Sequence, residues 1–398
     1  MPPDPAELWP LDEANLGTGL PLEGIRVLDL SRVYAGPLAA MVLGDLGADV
    51  LKVEQPEGDP VRGFAPPVVD GVATYYLAAN RNRRNVCLDL KSAKHRAHLK
   101  RLVGAADVVI DNFLPSQAAA LGVAELRSAH PEVTWITVGA ADSAGPLADE
   151  PSFDLLAQAR SGLMGVTGSQ DSGPIKVGAP IADVVAGLYA AIAALAGLLR
   201  SARQPNRPGL RAEAPLLESA ISVLANQAQG WLATGSAPRR LGNEHPSICP
   251  YAPYATEDGI LLIAVATESA WRRLVGAMER AELAQDPRFI DNEARVHHRE
   301  DLRVELEATL ATKGTGAWNE ILAAAQVPSA PVYDVDEALD QPQVRAAALV
   351  EEVELNSGTT VSMLASPLRV DGERLGIRLA PPTKGQHDEV FGVPREEA

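Results

Sequence analysis

The stretch KVGAPIADVVAGLYAAIAALAGLLR, Lys176 to Arg200, holds a single carboxylate, Asp183, ahead of a run with no other charge until Arg200. An aspartate that follows GAPIA and opens an apolar helix reads as an N-cap. Its oxygens would accept backbone N–H groups and its charge would be favoured by the helix dipole. Those influences lower a carboxylate's pKa and keep it ionised. An ionised, aimed carboxylate is also what covalent carboxylate catalysis needs. The two readings are compatible, and local physics does not choose between them. Other chemistry-bearing residues form weaker patterns. His95 and His98 stand on a Lys/Arg-rich helix and His297 adjoins His298 on a polar one, with neither HExxH nor cysteines nearby, so solvated faces are expected. No GxSxG elbow and no Walker A pattern exists, which removes support from a serine hydrolase and a P-loop NTPase. The cluster NRNRRN, Asn80 to Asn85, reads as a solvated turn or as an anion-recognition rim.

The elements that must position these residues are legible in outline. IRVLDLS (Ile25 to Ser31) reads as a buried strand, GPLAAMVLGDLGA as a helix with Pro37 in its first turn, and DVLKVE (Asp49 to Glu54) as a second strand. Short connections make this a βαβ unit of a parallel sheet. VCLDLK, DVVIDNF and VTWITV supply further strands, so the first 140 or so residues look doubly wound, with ligands expected beyond the strands' carboxyl ends. Helices are expected near 153–164, 183–202 and 215–234. A strand at ILLIAVA and a Ser-capped helix at SAWRRLVGAMERAEL open a smaller α+β region. Glu54 ends the second strand where a ribose-binding acid would sit. The turn SRVYAGPLAAMVLGDLG lacks GxGxxG, however, so a dinucleotide site and an NAD(P)-linked oxidoreductase are disfavoured.

Composition sets the outer bounds. A chain of 398 residues with 46% hydrophobic and 22% charged residues is ordinary for a globular protein of two or three domains. A formal net charge of -17 repels polyphosphates, so nucleic acid is not an expected partner and an anionic small ligand needs a local basic site. Two cysteines, Cys87 and Cys249, without CxxC give no disulfide framework or zinc site. The acidic, Pro-rich start is not a signal peptide, and the 16-residue apolar run Val184 to Leu199 is short for a membrane span, so it reads as a buried helix. A soluble, cytoplasmic protein without a membrane role is expected.

The order of motifs carries further information. PLEGIRVLDLSRVYAGPLAAMVLGDLGADVLKVEQPEGDPVR resembles the opening of the class III CoA-transferase family, the CaiB/BaiF group that also contains formyl-CoA transferase and α-methylacyl-CoA racemase. NRNRRNVCLDLKS, ADVVIDNFLP, PSFDLLAQARSGLMGVTG, VGAPIADVVAGLYAAIAAL, RRLGNEHPSICPYAPYATEDG, DPRFIDNEAR, VPSAPVYDVDEAL and PPTKGQHDEVF follow in that family's order. The resemblance implies an α/β fold with a large Rossmann-like parallel-sheet domain (1–212 and 331–398), a smaller α+β domain (225–330), a linker helix (213–224) and an interlocked homodimer. It implies transfer of CoA from an acyl-CoA thioester to an acceptor carboxylic acid, with coenzyme A as substrate and no permanently bound cofactor or metal. The family's catalytic aspartate falls on Asp183, the expected nucleophile, with Asp154 a second catalytic candidate. The matching CoA-contacting segments are Val33, Tyr34 and Ala35; Leu88, Asp89, Leu90 and Lys91; and Asn112, Phe113 and Leu114. Two arginines common in the family are missing, at Gln55 and in PSQAAALG. Phosphate binding is therefore expected to move to Arg62 or to the Arg81 to Arg84 cluster. Arg239, Arg240 and His245 are candidates to meet a carboxylate or to hold a loop. A racemase would need a histidine where Phe153 stands, in SFD, and a hydrocarbon ring carries no proton. A catalytically silent CoA-binding protein is the remaining alternative.

Overall fold

In the computed structural model, which describes residues 8–394, the chain forms two compact units. The large unit takes the chain up to Leu163, then Lys176–Gly235, and the chain from Pro342 on. The small unit takes Met164–Ile175 and Ser236–Gln341. The boundaries differ from those expected from the sequence: Met164–Ile175 and residues 331–341 belong to the small unit, residues 225–235 to the large one, and the segment read as a linker helix, 213–224, is part of the large unit. Glu213 ends a strand of the large sheet, and Leu216, Ser219 and Ala220 are buried in the large unit's core.

The large unit is built on a six-stranded sheet. β1 (Arg26–Asp29) leads through α1 (Ala35–Asp45) to β2 (Asp49–Glu54). β3 (Arg84–Cys87) leads through α2 (Ala93–Ala105) to β4 (Val108–Asp111), and β5 (Thr134–Thr137) follows. After α3 (Asp154–Arg160) and α4 (Ile181–Arg203) comes β6 (Arg211–Glu213), a strand with no strong sequence signal. The strand order is β3-β2-β1-β4-β5-β6 with every pair parallel. That is the doubly wound Rossmann order, obtained without the glycine fingerprint. All six residues of β2 are buried, as expected of a strand covered on both faces.

The Ala and Gly content of α4 has a packing cause. Its buried face is Ala182, Asp183, Ala186, Gly187, Ala190, Ala191, Ala194 and Gly197. A Cβ at Gly187 would stand 2.7 Å from the Ala35 carbonyl oxygen, and one at Gly197 would stand 2.5 Å from the Thr134 methyl. Small residues therefore bring α4 close against α1 and β5 and set its first turn beside the turn after β1. The helix spans 23 residues and is long and apolar enough to cross a membrane, yet this face lies in the protein core. The expected helix over 215–234 is broken into α5 (Leu216–Ser222) and α6 (Ala225–Thr234), because Ala225 takes a positive φ of 43°.

The small unit has a three-stranded antiparallel sheet: β7 (Tyr251–Ala255), β8 (Ile260–Ala264) and, after its helices, the strand Ser329–Pro331. Trp271, Phe289, Leu302, Leu306 and Trp318 fill its core. The helix Glu268–Ala277 is capped by Thr267, whose hydroxyl accepts from the Ala270 amide, rather than by the expected Ser269. DPRFIDNEAR proves structural here. Phe289 is buried, Asp291 caps a helix, and buried Arg295 holds Glu268 and the Cys249 and Phe289 carbonyls.

Candidate active site

A cavity of about 290 Å³ opens at the carboxyl edge of the large sheet, where the strand order reverses between β1 and β4. This is the topological switch point at which open α/β sheets take ligands. Much of the wall comes from segments that follow strands. Arg32 to Ala35 follow β1, Asn112 and Leu114 follow β4, Val138 to Ala140 follow β5, and Leu216 follows β6. Asp183, Phe153 and Phe64 line it too. A second cavity of about 340 Å³ shares Arg32 and Gln117 with the first and continues over Gln55, Glu57, Asp89, Leu90, Lys91 and Phe113.

Asp183 is not a cap. Pro180 holds the cap position of α4, and Asp183 is the third residue of the helix. The capping carboxylate is Asp154, from another helix: its Oδ1 accepts from the Ala182 amide at 2.8 Å and its Oδ2 from Gln158 Nε2 at 2.7 Å. Asp154 is thereby occupied in seating the first turn of α4. Asp183 itself is 7% exposed and has no hydrogen-bond partner among the described residues. Burial first, and then the negative charge of Asp154, push its pKa up to about 7. The expectation of a lowered pKa is therefore overturned. The helix dipole favours the carboxylate, but desolvation of a group without donors outweighs it. Tyr34 and Tyr75 stack edge-on at 5.3 Å, and Phe64 stacks on Tyr75 at 6.1 Å. Both phenols are raised by burial and then by Asp183, Tyr75 to about 12. They stay protonated beside the carboxylate.

The turn that carries Val33, Tyr34 and Ala35 is held from below. Asn112 Oδ1 accepts from the Arg32 amide at 3.1 Å, and Asn112 Nδ2 donates to the Arg32 carbonyl at 2.9 Å. Val33 sits at φ 71°, a strained conformation for a β-branched residue. Its amide donates to both Asp59 carboxylate oxygens at 3.2 Å. Buried Lys52 pairs with Asp59 at 2.9 Å and donates to the Ser31 carbonyl at 2.9 Å. Burial raises the Asp59 pKa, but the Lys52 charge and hydrogen bond overcome this and hold it below its usual value.

The sequence-derived candidates separate into two groups. Val33, Tyr34, Ala35, Asn112 and Leu114 line the first cavity with Asp183; Asp89, Leu90, Lys91 and Phe113 line the second. Leu88 does not line either, because its side chain is wholly buried in the core. Arg62 is consumed: its Nε and Nη2 grip Glu54 at 2.9 and 2.8 Å, and Nη2 also meets the Tyr76 hydroxyl and the Pro382 carbonyl. Glu54, held by Arg62 and Asn85, is equally unavailable to a ribose. NRNRRN is neither a rim nor a solvated turn, since all six residues are buried. Arg81 pairs with Asp45 at 2.6 Å, Arg83 with Asp29 at 2.8 Å and Arg84 with Asp49 at 2.8 Å. His95 and His98 are buried too, and His95 bridges the Asp89 amide and the Pro394 carbonyl. In the small unit Arg240 donates to the Ser169 and Gly165 carbonyls and His245 accepts from the Ser247 amide, both loop-holding roles. Sequence reasoning missed Arg32, Phe64, Tyr75, Asp59 and Lys52. Only Arg32 had a usable signal, as the cation flanking the VYAGP turn.

Comparison with known proteins places this geometry. The sequence profile described as CoA-transferase family III matches residues 22–388. The chain is 37% identical over 381 residues to succinate–glutarate CoA-transferase of Agrobacterium fabrum, covering 92% of this chain and 94% of the relative. It is 32% identical over 378 residues to human succinyl-CoA:glutarate CoA-transferase, covering 94% of this chain and 86% of the relative. The crystal structure of a CaiB/BaiF family protein from Brucella suis superposes with a TM-score of 0.81 at 33% identity, covering 94% of this chain and 98% of that one. A parallel sheet in this order, a buried carboxylate at its switch point without a hydrogen-bond partner among the described residues and a match along nearly the whole sequence agree: the chain belongs to CoA-transferase family III, the CaiB/BaiF group.

Proposed function

We propose that the protein moves CoA from an acyl-CoA to a free carboxylic acid through covalent intermediates on Asp183. The observation that carries this reading is a buried carboxylate without hydrogen-bond donors, titrating near neutrality, in a cavity at the sheet's switch point. A desolvated carboxylate is a stronger nucleophile than a hydrated one, and a pKa of about 7 leaves about half of it ionised at neutral pH. Asp183 attacks the thioester carbonyl, the C–S bond breaks, and a mixed anhydride and CoA thiolate result. The thiolate attacks the Asp183 carbonyl of the anhydride and expels the donor acid, leaving an aspartyl-CoA thioester. The acceptor carboxylate attacks that thioester and expels the thiolate again. The thiolate then takes the acyl group of the acceptor and releases the Asp183 carboxylate. Each step exchanges one activated acyl bond for another. Tyr34 lines the cavity, and its protonated phenol is the donor assigned to a developing oxyanion, while Phe64 and Phe153 help exclude water.

Relatives described as acting on succinate and glutarate support a dicarboxylate pair, with succinyl-CoA the first donor to assay. Phe153, where a racemase histidine would stand, lines the cavity and offers no proton carrier, which favours transfer over racemisation. A homodimer is part of the proposal. Leu188, Tyr189, Ile192 and Leu199 on α4, with Trp231 and Leu232 on α6, form exposed apolar surface in the large unit that a second subunit would cover. The test is trapping. Protein mixed with succinyl-CoA and quenched with hydroxylamine should carry a hydroxamate on the peptide containing Asp183, read by mass spectrometry. A CoA-transferring enzyme that is never labelled there refutes the covalent route.

A further inference from the structure

The missing family arginines leave the CoA phosphates without an evident cation, and the structure narrows the choice. Arg62, Arg81, Arg83 and Arg84 are all committed to buried carboxylates. Among the described residues, the cationic side chains lining the two cavities are Arg32 and Lys91. Arg32 is built unlike a surface arginine. Its backbone is clamped by Asn112 on both its N–H and its carbonyl side, while its guanidinium has no hydrogen bond or ion pair with any described residue. It is shared by both cavities, so it stands where a ligand reaching from Asp183 into the second cavity must pass. Glu57 and Asp89 also line that second cavity beside Lys91, and their charge repels a phosphate while suiting hydroxyl and amino groups. In a chain of net charge -17, an unpaired, planar guanidinium at this junction is the natural receptor for a phosphoryl group.

We propose that Arg32 binds a phosphate of the nucleotide end of CoA, in place of the arginines absent at Gln55 and in PSQAAALG. The inference rests on the CoA-transferase reading above. The test compares wild type with Arg32→Gln and Arg32→Lys, using succinyl-CoA, succinyl-3′-dephospho-CoA and S-succinylpantetheine as donors to glutarate. For succinyl-CoA, Arg32→Gln should raise KM roughly 10- to 100-fold with kcat within about threefold, the size expected for a lost charged hydrogen bond, and Arg32→Lys should recover part of it. With S-succinylpantetheine, which has no nucleotide, wild type and Arg32→Gln should give equal kcat/KM. That equality also shows the variant is folded with its active site intact. A KM effect that persists with the 3′-dephospho donor assigns Arg32 to the pyrophosphate; an effect that vanishes assigns it to the 3′-phosphate. An unchanged KM for succinyl-CoA, or an equal loss with S-succinylpantetheine, overturns the proposal. If wild type turns over none of these donors, the succinate–glutarate assignment has failed instead. Calorimetric binding of free CoA to wild type and Arg32→Gln then still decides the role of Arg32, an equal Kd overturning it.

Discussion

Asp183 costs the fold stability, and that cost can be measured. In the folded protein burial and Asp154 raise its pKa from 3.8 to about 7, whereas in the unfolded chain it ionises near its ordinary value. A pKa raised on folding contributes stability that is fully present below pH 4 and lost as pH climbs through 7. Each unit of difference is worth about 1.4 kcal/mol, so the roughly three-unit gap amounts to about 4 kcal/mol above pH 8. Asparagine has nearly the same shape and no charge to desolvate. Asp183→Asn is therefore expected to be as stable as wild type at pH 4 and about 4 kcal/mol more stable at pH 8.5. If the 398 residues unfold together, this is roughly 5 °C in Tm. Thermal and urea melts of both proteins between pH 4 and 8.5 supply the difference curve, in which titrations shared by the two proteins cancel. The same variant should be inactive in CoA transfer. A stability difference flat across that range, or a variant less stable at pH 8.5, would refute the claim that Asp183 is a desolvated, unpaired carboxylate.

Two further outcomes follow from the same geometry. The kcat/KM for an acyl-CoA donor should rise with pH and level off above about pH 8, with an apparent pKa near 7 set by ionisation of Asp183; a profile flat from pH 5.5 to 8.5 would contradict this. Asp59→Asn should loosen the turn that holds Val33 at φ 71°, raising KM for the acyl-CoA several-fold with a smaller change in kcat. Adding Val33→Gly, which adopts that conformation without a Cβ penalty, should recover most of the KM, and failure of the double variant to recover it counts against a positioning role for Asp59.

Much of the fold was legible because its signals are local. β1, α1 and β2 read directly from an apolar run, a Pro-marked helix start and a second run, and the short connections between them require parallel pairing. The absence of GxGxxG was informative about the ligand and not about the fold, since the same strand order forms with Val33 and Tyr34 in the turn. β6 was missed because three residues, RAE, have no periodicity to detect, and their strand state comes from pairing with β5. The break between α5 and α6 likewise has no Gly or Pro to announce it.

The arginine cluster separates the two kinds of information most sharply. As a string, NRNRRN is a basic patch, and no local rule buries it. In the fold Asp45, Asp29 and Asp49, which lie 36, 54 and 35 residues away in sequence, arrive at Arg81, Arg83 and Arg84 and turn it into an ion-paired interior. Asp183 follows the same logic. Its candidacy as the reacting carboxylate came from the order of motifs, and the small-residue helix behind it from composition. Its protonation was decided only in three dimensions, because Asp154 takes the helix amide that local reasoning assigned to Asp183 and leaves it buried without a donor. Sequence determines which groups exist and which helices and strands carry them. A pKa or a binding site depends on what those groups meet across the fold, through desolvation and Coulomb interactions between residues far apart in the chain.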